Sequence, residues 1–327
     1  MLHTHIDKEV YYDAYRKSLD PLSDTGKFIL FLKNDTNLDL YGVDKSKFDN
    51  RTALLIKLTE GKKENSSSYV LHETDCKNGL NDTNQEYPYQ ILFLKTKDSK
   101  TQSIIAKENK ITVGFIDNYF SIFQQLTKEP FFSIGSIGSN NQFLNWKNVL
   151  PESQVTDIII SDPYILFYSN DYPLNNNFYH LLSELKNTYP KIETIVVFSY
   201  RDNDSDRDES ADYESNWDDI ILESKNILGM NINFYLVQLT GKIEHDRHIF
   251  LNYHHLKFGS SLNFLFNSKG ELAVKKTSNM KIESYFTSTN FHEAAITLKN
   301  LKLQLFEQKK RNKILNKTTS NLFNIEP

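Results

Sequence analysis

Between Gly241 and Phe264 the chain reads GKIEHDRHIFLNYHHLKFGSSLNF, which spaces an imidazole, a guanidinium, an amide and a hydroxyl in an order that suits an anion. A strand sends alternate side chains to one face, so His245 and Arg247 project together. On a shared face the cation can neutralise the oxygens of a phosphate while the imidazole attacks phosphorus or moves a proton. Asn252 follows, where an amide can orient the imidazole ring by hydrogen bonding. Gly259 and Ser260 bring backbone and hydroxyl donors close to an anion, with Asn263 just behind. Upstream, Asp162 and Tyr164 close the run Asp157–Tyr164, DIIISDPY. Ligands of open α/β sheets are met at the C-terminal ends of strands, which makes both residues site candidates. Asp before Pro is also ordinary turn chemistry, and that alternative stands beside the first.

Taken together, His245, Arg247, Asn252, Gly259, Ser260 and Asn263 resemble one half-site of the phospholipase D superfamily. The family's half-site is His-x-Lys, four residues, Asp, then Gly-Ser and Asn. Here Arg247 stands for the Lys, Asn252 stands for the Asp, and the final Asn falls one residue late. Asp162-Pro163-Tyr164, His245-Asp246-Arg247 and Gly259–Phe264 are most similar to the phospholipase-D-like domain at the C-terminus of MIT-domain proteins. The resemblance covers roughly 155–266 and does not extend to an MIT three-helix module. It implies a phospholipase D-like α/β fold, phosphodiester recognition, and His245 as nucleophile with Arg247 and Asn252 in the catalytic set. Ser260, Asn263, Asp162 and Tyr164 are then the phosphate-binding set. Superfamily enzymes use two half-sites, so one half-site implies a homodimer that brings two copies of His245 together. It also implies nucleic acid or a phospholipid headgroup as partner, and a free-standing member of this kind suits a nuclease-like effector of bacterial antiviral defence. The eukaryotic relatives imply a rival, a binding module without turnover. Asn252 cannot stabilise an imidazolium as a carboxylate does, whereas Arg247 can still grip phosphate in bidentate fashion.

The elements that must position these residues are legible as alternation. Thr156–Ser161, Ile192–Phe198 and Ile232–Leu239 read as buried strands. Between them lie a helix with Phe178, Leu181, Leu182 and Leu185 on one stripe and a helix over 210–228 ended by Gly229. Strand–helix–strand alternation predicts an α/β layered sheet over 149–327. It continues with a strand at Ile282–Phe286 and a long helix through Phe291–Phe306, whose basic end at Lys309–Lys313 suits a helix C-terminus. The chain beyond Lys317 is expected to fray. Residues 1–148 read as a smaller α+β, strand-rich domain of unassigned role, with room for a partner protein. Its expected strands are Phe28–Lys33, Ala53–Leu58, Gln90–Leu94 and Ile111–Ile116, with a short helix at Phe120–Leu126. The spacing GSIGS at Gly135–Ser139 lacks the Lys of a phosphate-binding loop and reads as an approach to the second domain.

Composition sets the outer bounds. The 327 residues include 39% hydrophobic and 13% aromatic side chains, enough for a substantial core. A net charge of −4 gives no bulk positive field for nucleic acid. The single cysteine, Cys76, allows no intramolecular disulfide, and the polar start MLHTHIDKEVYY lacks an apolar signal core, so a cytoplasmic protein is expected. No cofactor or metal is expected. The acidic loop Asp202–Glu214 misses the Gly and Glu positions of a calcium loop, and His248, His254 and His255 have no carboxylate cluster beside them in sequence.

Overall fold

The computed structural model describes residues 2–18, 20–44, 69–74, 76, 90–95, 112–134, 146–166, 174–199, 212–239, 247–262, 278–310 and 320–324. It is a mixed α/β structure built on two sheets. The first contains β1 Leu2–Asp7, β2 Thr36–Tyr41, β3 Tyr69–Leu71, β4 Gln90–Leu94 and β5 Thr112–Phe115 in the order β3-β2-β1-β4-β5. Every pairing is parallel. The N-terminal unit is therefore a parallel α/β layer, not the strand-rich α+β unit expected.

Its face is set by alternation. Leu2 and Ile6 of β1, Leu38 and Leu40 of β2, and Ile91 and Phe93 of β4 turn to one side and meet helices α1 (Lys8–Lys17), α2 (Asp24–Asn34) and α3 (Tyr119–Leu126). The run FILFLK at Phe28–Lys33, expected as a strand, lies inside α2. Ser23 caps that helix by accepting from the Gly26 amide at 3.1 Å, Asp24 sits in its first turn, and Phe28, Phe31 and Leu32 share the buried stripe. Gly26 has no substitute there, because a Cβ would run into the Asp20 carbonyl and Pro21.

The second sheet has seven strands in the order β6-β12-β11-β10-β7-β8-β9. They are β6 Phe131–Ile134, β7 Asp157–Ser161, β8 Thr194–Ser199, β9 Asn233–Gln238, β10 Arg247–Phe250, β11 His254–Phe258 and β12 Ser278–Ser284. β7, β8 and β9 are parallel, as the alternating pattern predicts, and β10, β11, β12 and β6 run antiparallel to their neighbours. Because β6 precedes residue 149 yet joins this sheet, the change of sheet comes earlier in the chain than the expected boundary.

Helices α4 (His180–Thr188) and α5 (Asp212–Leu228) cover one face over Ile158, Ile160, Ile195, Val197 and Ile249. Gly229 ends α5 at φ 105, a left-handed position that glycine adopts freely. The other face joins the first sheet's helices through one continuous core. Ile159, Val196, Phe198 and Phe250 from the sheet and Phe291, Leu298 and Leu305 from α6 (Ser288–Lys310) belong to the same cluster as Phe28 and Phe93. The tilted rings of Phe31 and Phe286 meet across the join with centroids 4.8 Å apart. Burying such a side chain contributes about 1.5–3 kcal/mol, so the join is a core, not a wet seam.

The far C-terminus differs from expectation. Asn321–Asn324 forms a 3₁₀ turn, and Leu322 and Phe323 are buried in the shared core. Asp157 holds it, accepting from the Asn321 amide at 3.0 Å and from the Ser320 hydroxyl at 3.2 Å. No described helix is long and apolar enough to cross a membrane.

Candidate functional site

β7 and β10 run antiparallel with His248 opposite Ser161, so the start of β10 lies beside the end of β7. That places Arg247 next to Asp162, at the C-terminal edge of the parallel strands. The Arg247 guanidinium stands over the Tyr164 ring at 5.5 Å, a stacking that fixes a long, flexible cation. Both residues are half-buried.

Asp162 is fully buried, and its oxygens are occupied. Oδ1 accepts from the Tyr164 amide at 2.9 Å; Oδ2 accepts from Ser261 Oγ at 2.8 Å and the Leu262 amide at 2.6 Å. Burial raises its pKa, while these donors and the Arg247 charge oppose the rise. Asp162 thus braces the 259–262 turn against the end of β7, where the sequence assigned it to phosphate. The turn carries half-buried Ser260 on the rim, and Ser261, which sequence reasoning passed over, makes the bond to Asp162. Its signal was the second Ser of the Gly-Ser-Ser triplet. Ser199 at the end of β8 pins the other side, donating to the Pro163 carbonyl at 3.2 Å.

Asn252 does not join this group. Its Oδ1 accepts from the amides of Thr156 and Asp157 at 3.0 and 3.2 Å, and its Nδ2 donates to Thr156 Oγ1 at 3.0 Å. Those partners start β7, and the group with Arg247 lies at its end. The reason is the register: β10 turns at Leu251–Tyr253, so a residue five positions after Arg247 reaches the opposite edge of the sheet. The expected catalytic role for Asn252 beside Arg247 is corrected to a buried clamp. His245 and Asn263 lie outside the described residues, as do Ala53–Leu58, the Gly135–Ser139 stretch and most of the acidic loop after Asp202.

The neighbouring histidines turn inward. His248 Nδ1 and His255 Nε2 are 2.8 Å apart, and Glu283 lies 3.8 Å beyond His255. Burial pushes His255 well below its ordinary range, with the charges of His248 and Lys257 adding to the effect. Lys257 is held at 2.8 Å by both Glu283 and Glu293, so its charge is already matched. A cleft of about 390 Å³ lies between Thr112, Leu126, Gln154 and Tyr189 and contains none of the candidate residues.

A second polar group, unread in the sequence, lies on the first sheet. β1 sends His3, His5 and Asp7 to the face opposite its core. Parallel pairing sets Asp39 beside His5 and places Tyr41 and His72 further along. His3 Nε2 and His5 Nδ1 stand 2.9 and 3.2 Å from Asp39 Oδ2, and His72 Nε2 stands 3.5 Å from Oδ1. The signal was the alternation of His3 and His5; Asp39 and His72 are supplied by the fold.

No protein-family model matches this chain, and no curated protein matches it.

Proposed function

We propose that the C-terminal edge of β7 and β10 recognises a phosphodiester, in keeping with the resemblance to the phospholipase D superfamily. The observation that carries the reading is Arg247 stacked on Tyr164 beside a turn braced by Asp162. A fixed guanidinium matches a phosphate in bidentate fashion, and Ser260 on the same rim offers a hydroxyl donor. His245, two residues before Arg247, completes the pattern as the reacting imidazole. Nucleic acid and anionic lipid headgroups carry the same group.

The position of Asn252 favours recognition without turnover. An amide clamped to Thr156 and Asp157 at the far edge offers nothing to an imidazolium near Arg247. Turnover would need two copies of His245 across one phosphodiester, hence a homodimer.

Binding of short single-stranded DNA and RNA, and of phosphatidylserine vesicles, to wild type, Arg247→Ala and Lys257→Ala tests the reading. A charge-assisted hydrogen bond to phosphate contributes about 1.5–3 kcal/mol, so Arg247→Ala is expected to bind at least about tenfold more weakly. Lys257→Ala should change little, because two carboxylates already hold that charge. Equal affinity of wild type and Arg247→Ala for all three probes refutes the reading. Hydrolysis abolished by His245→Ala, in a protein whose mass in solution is that of a dimer, would establish the catalytic form over the binding form.

A further inference from the structure

We infer that the first sheet holds a divalent transition-metal ion, zinc by preference, on His3, His5 and Asp39, with His72 as fourth donor. The argument begins with register. In a parallel pair His5 lies across from Asp39, and alternation adds His3 and Tyr41 to the same face. Ligating atoms of His3, His5 and Asp39 all lie within 4.8 Å of one another. A tetrahedral zinc with bonds of about 2.0–2.1 Å separates its ligand atoms by about 3.3 Å. The distances of 2.9, 3.2 and 3.5 Å from Asp39 to His3, His5 and His72 bracket that value.

A network of hydrogen bonds alone accounts less well for the group. His72 Nε2 is buried, lies 3.5 Å from Asp39 Oδ1, and makes no hydrogen bond among the described residues. An unpaired polar atom in a buried position costs about 1–3 kcal/mol unless something meets it. Three imidazoles converge on a single carboxylate and His72 stands outside hydrogen-bond geometry with it, whereas a cation can be met by all four groups.

The supporting shell is in place. The His3 and His5 rings stack at 4.6 Å, and the His72 ring stacks on Tyr41 at 4.3 Å. Stacked rings hold orientation before a metal arrives, the usual role of groups behind the ligands. Three nitrogens and one oxygen suit zinc and its neighbours, whereas magnesium and calcium prefer oxygen alone.

The test uses the full chain without a histidine tag, stripped with EDTA, exposed to Zn²⁺, gel-filtered and analysed for metal by mass spectrometry. About one zinc per chain is expected in the presence of millimolar Mg²⁺ and Ca²⁺. Losing a supporting partner weakens metal sites roughly 10–100-fold, so Asp39→Asn, which keeps the side-chain shape, should lose at least that much affinity. His3→Ala and His72→Ala remove side chains that are 27% and 32% exposed, so they give the same readout where the fold is least at risk. Co²⁺-loaded wild type should show the visible absorption of a four-coordinate site, absent in Asp39→Asn at an unchanged circular dichroism spectrum. A folded wild type that retains no zinc overturns the inference. Zinc retained undiminished in Asp39→Asn, His3→Ala and His72→Ala alike overturns it equally.

Discussion

Acid should loosen the join between the two sheets through His254. In β11 this residue lies opposite Ser284 of β12, whose hydroxyl donates to the Leu126 carbonyl of α3 at 2.6 Å. His254 is fully buried, and neither ring nitrogen makes a hydrogen bond among the described residues. Burial pushes its pKa from 6.5 down to about 4, the Leu126 carbonyl offsetting only part of the cost. Above pH 6.5 the ring is neutral in both folded and unfolded chains, and stability is unaffected. As pH falls below 6.5 the unfolded chain takes up a proton that the native state refuses, so stability drops until about pH 4. One pKa unit corresponds to about 1.4 kcal/mol, and between pH 7 and pH 5 this residue alone should remove about 2 kcal/mol. His255 acts in the same direction.

Urea unfolding at pH 7 and pH 5 measures the loss, with His254→Leu as the comparison. Leucine is of similar volume and strands no partner, so at pH 7 the variant should match or exceed wild type. Its loss on going to pH 5 should be smaller by about 2 kcal/mol. Identical losses in the two proteins would refute the reasoning.

Asp162→Ala should destabilise by about 3 kcal/mol in urea, because it strands the buried donors of Tyr164, Ser261 and Leu262, and it should weaken phosphate probes by letting the Ser260 rim move. Removing residues 320–327 should cost about 3–6 kcal/mol of global stability, since Leu322 and Phe323 each bury a large apolar side chain, and an unchanged urea midpoint would show that this clasp contributes nothing.

The parallel strands β7, β8 and β9 were legible because they are rich in apolar residues and alternate with helices that keep a 3.6-residue stripe. The run Phe28–Lys33 shows where periodicity stops deciding. Five apolar residues and a lysine fit a buried strand or a helix turn equally, and the deciding information was the Ser23-Asp24 pair in front of them. The C-terminal clasp was illegible for another reason. Asn321–Asn324 is only four residues long, and its polar partners, Asp157 and Lys302, come from elsewhere in the fold. In the candidate site, spacing grouped Arg247 and Ser260 and carried Asn252 with them. Spacing counts residues along a chain and is blind to the turn at Leu251–Tyr253 that reverses it.

Which buried carboxylates hold the fold, and which are left to hold something else, follows from what their oxygens meet. Asp7 ends β1 and accepts from the Cys76 and Lys95 amides at 3.0 and 2.9 Å. Asp157 starts β7 and accepts from Asn321, and Asp162 ends β7 and accepts from Tyr164 and Leu262. Each sits at a strand end, where backbone amides leave the ladder and need acceptors, so each is consumed by the chain itself. Asp39 is different. It lies within β2, where the ladder already satisfies the backbone, and the groups beside it are three imidazoles. A carboxylate placed there is not needed to finish a strand, and imidazoles gathered around it in preference to lysine or arginine offer ring nitrogens that can ligate a cation. On the second sheet Arg247 stands over the Tyr164 ring at a strand end, and Lys257 is held by Glu283 and Glu293. The two proposals, an anion edge at Arg247 and a cation face at Asp39, rest on these two placements.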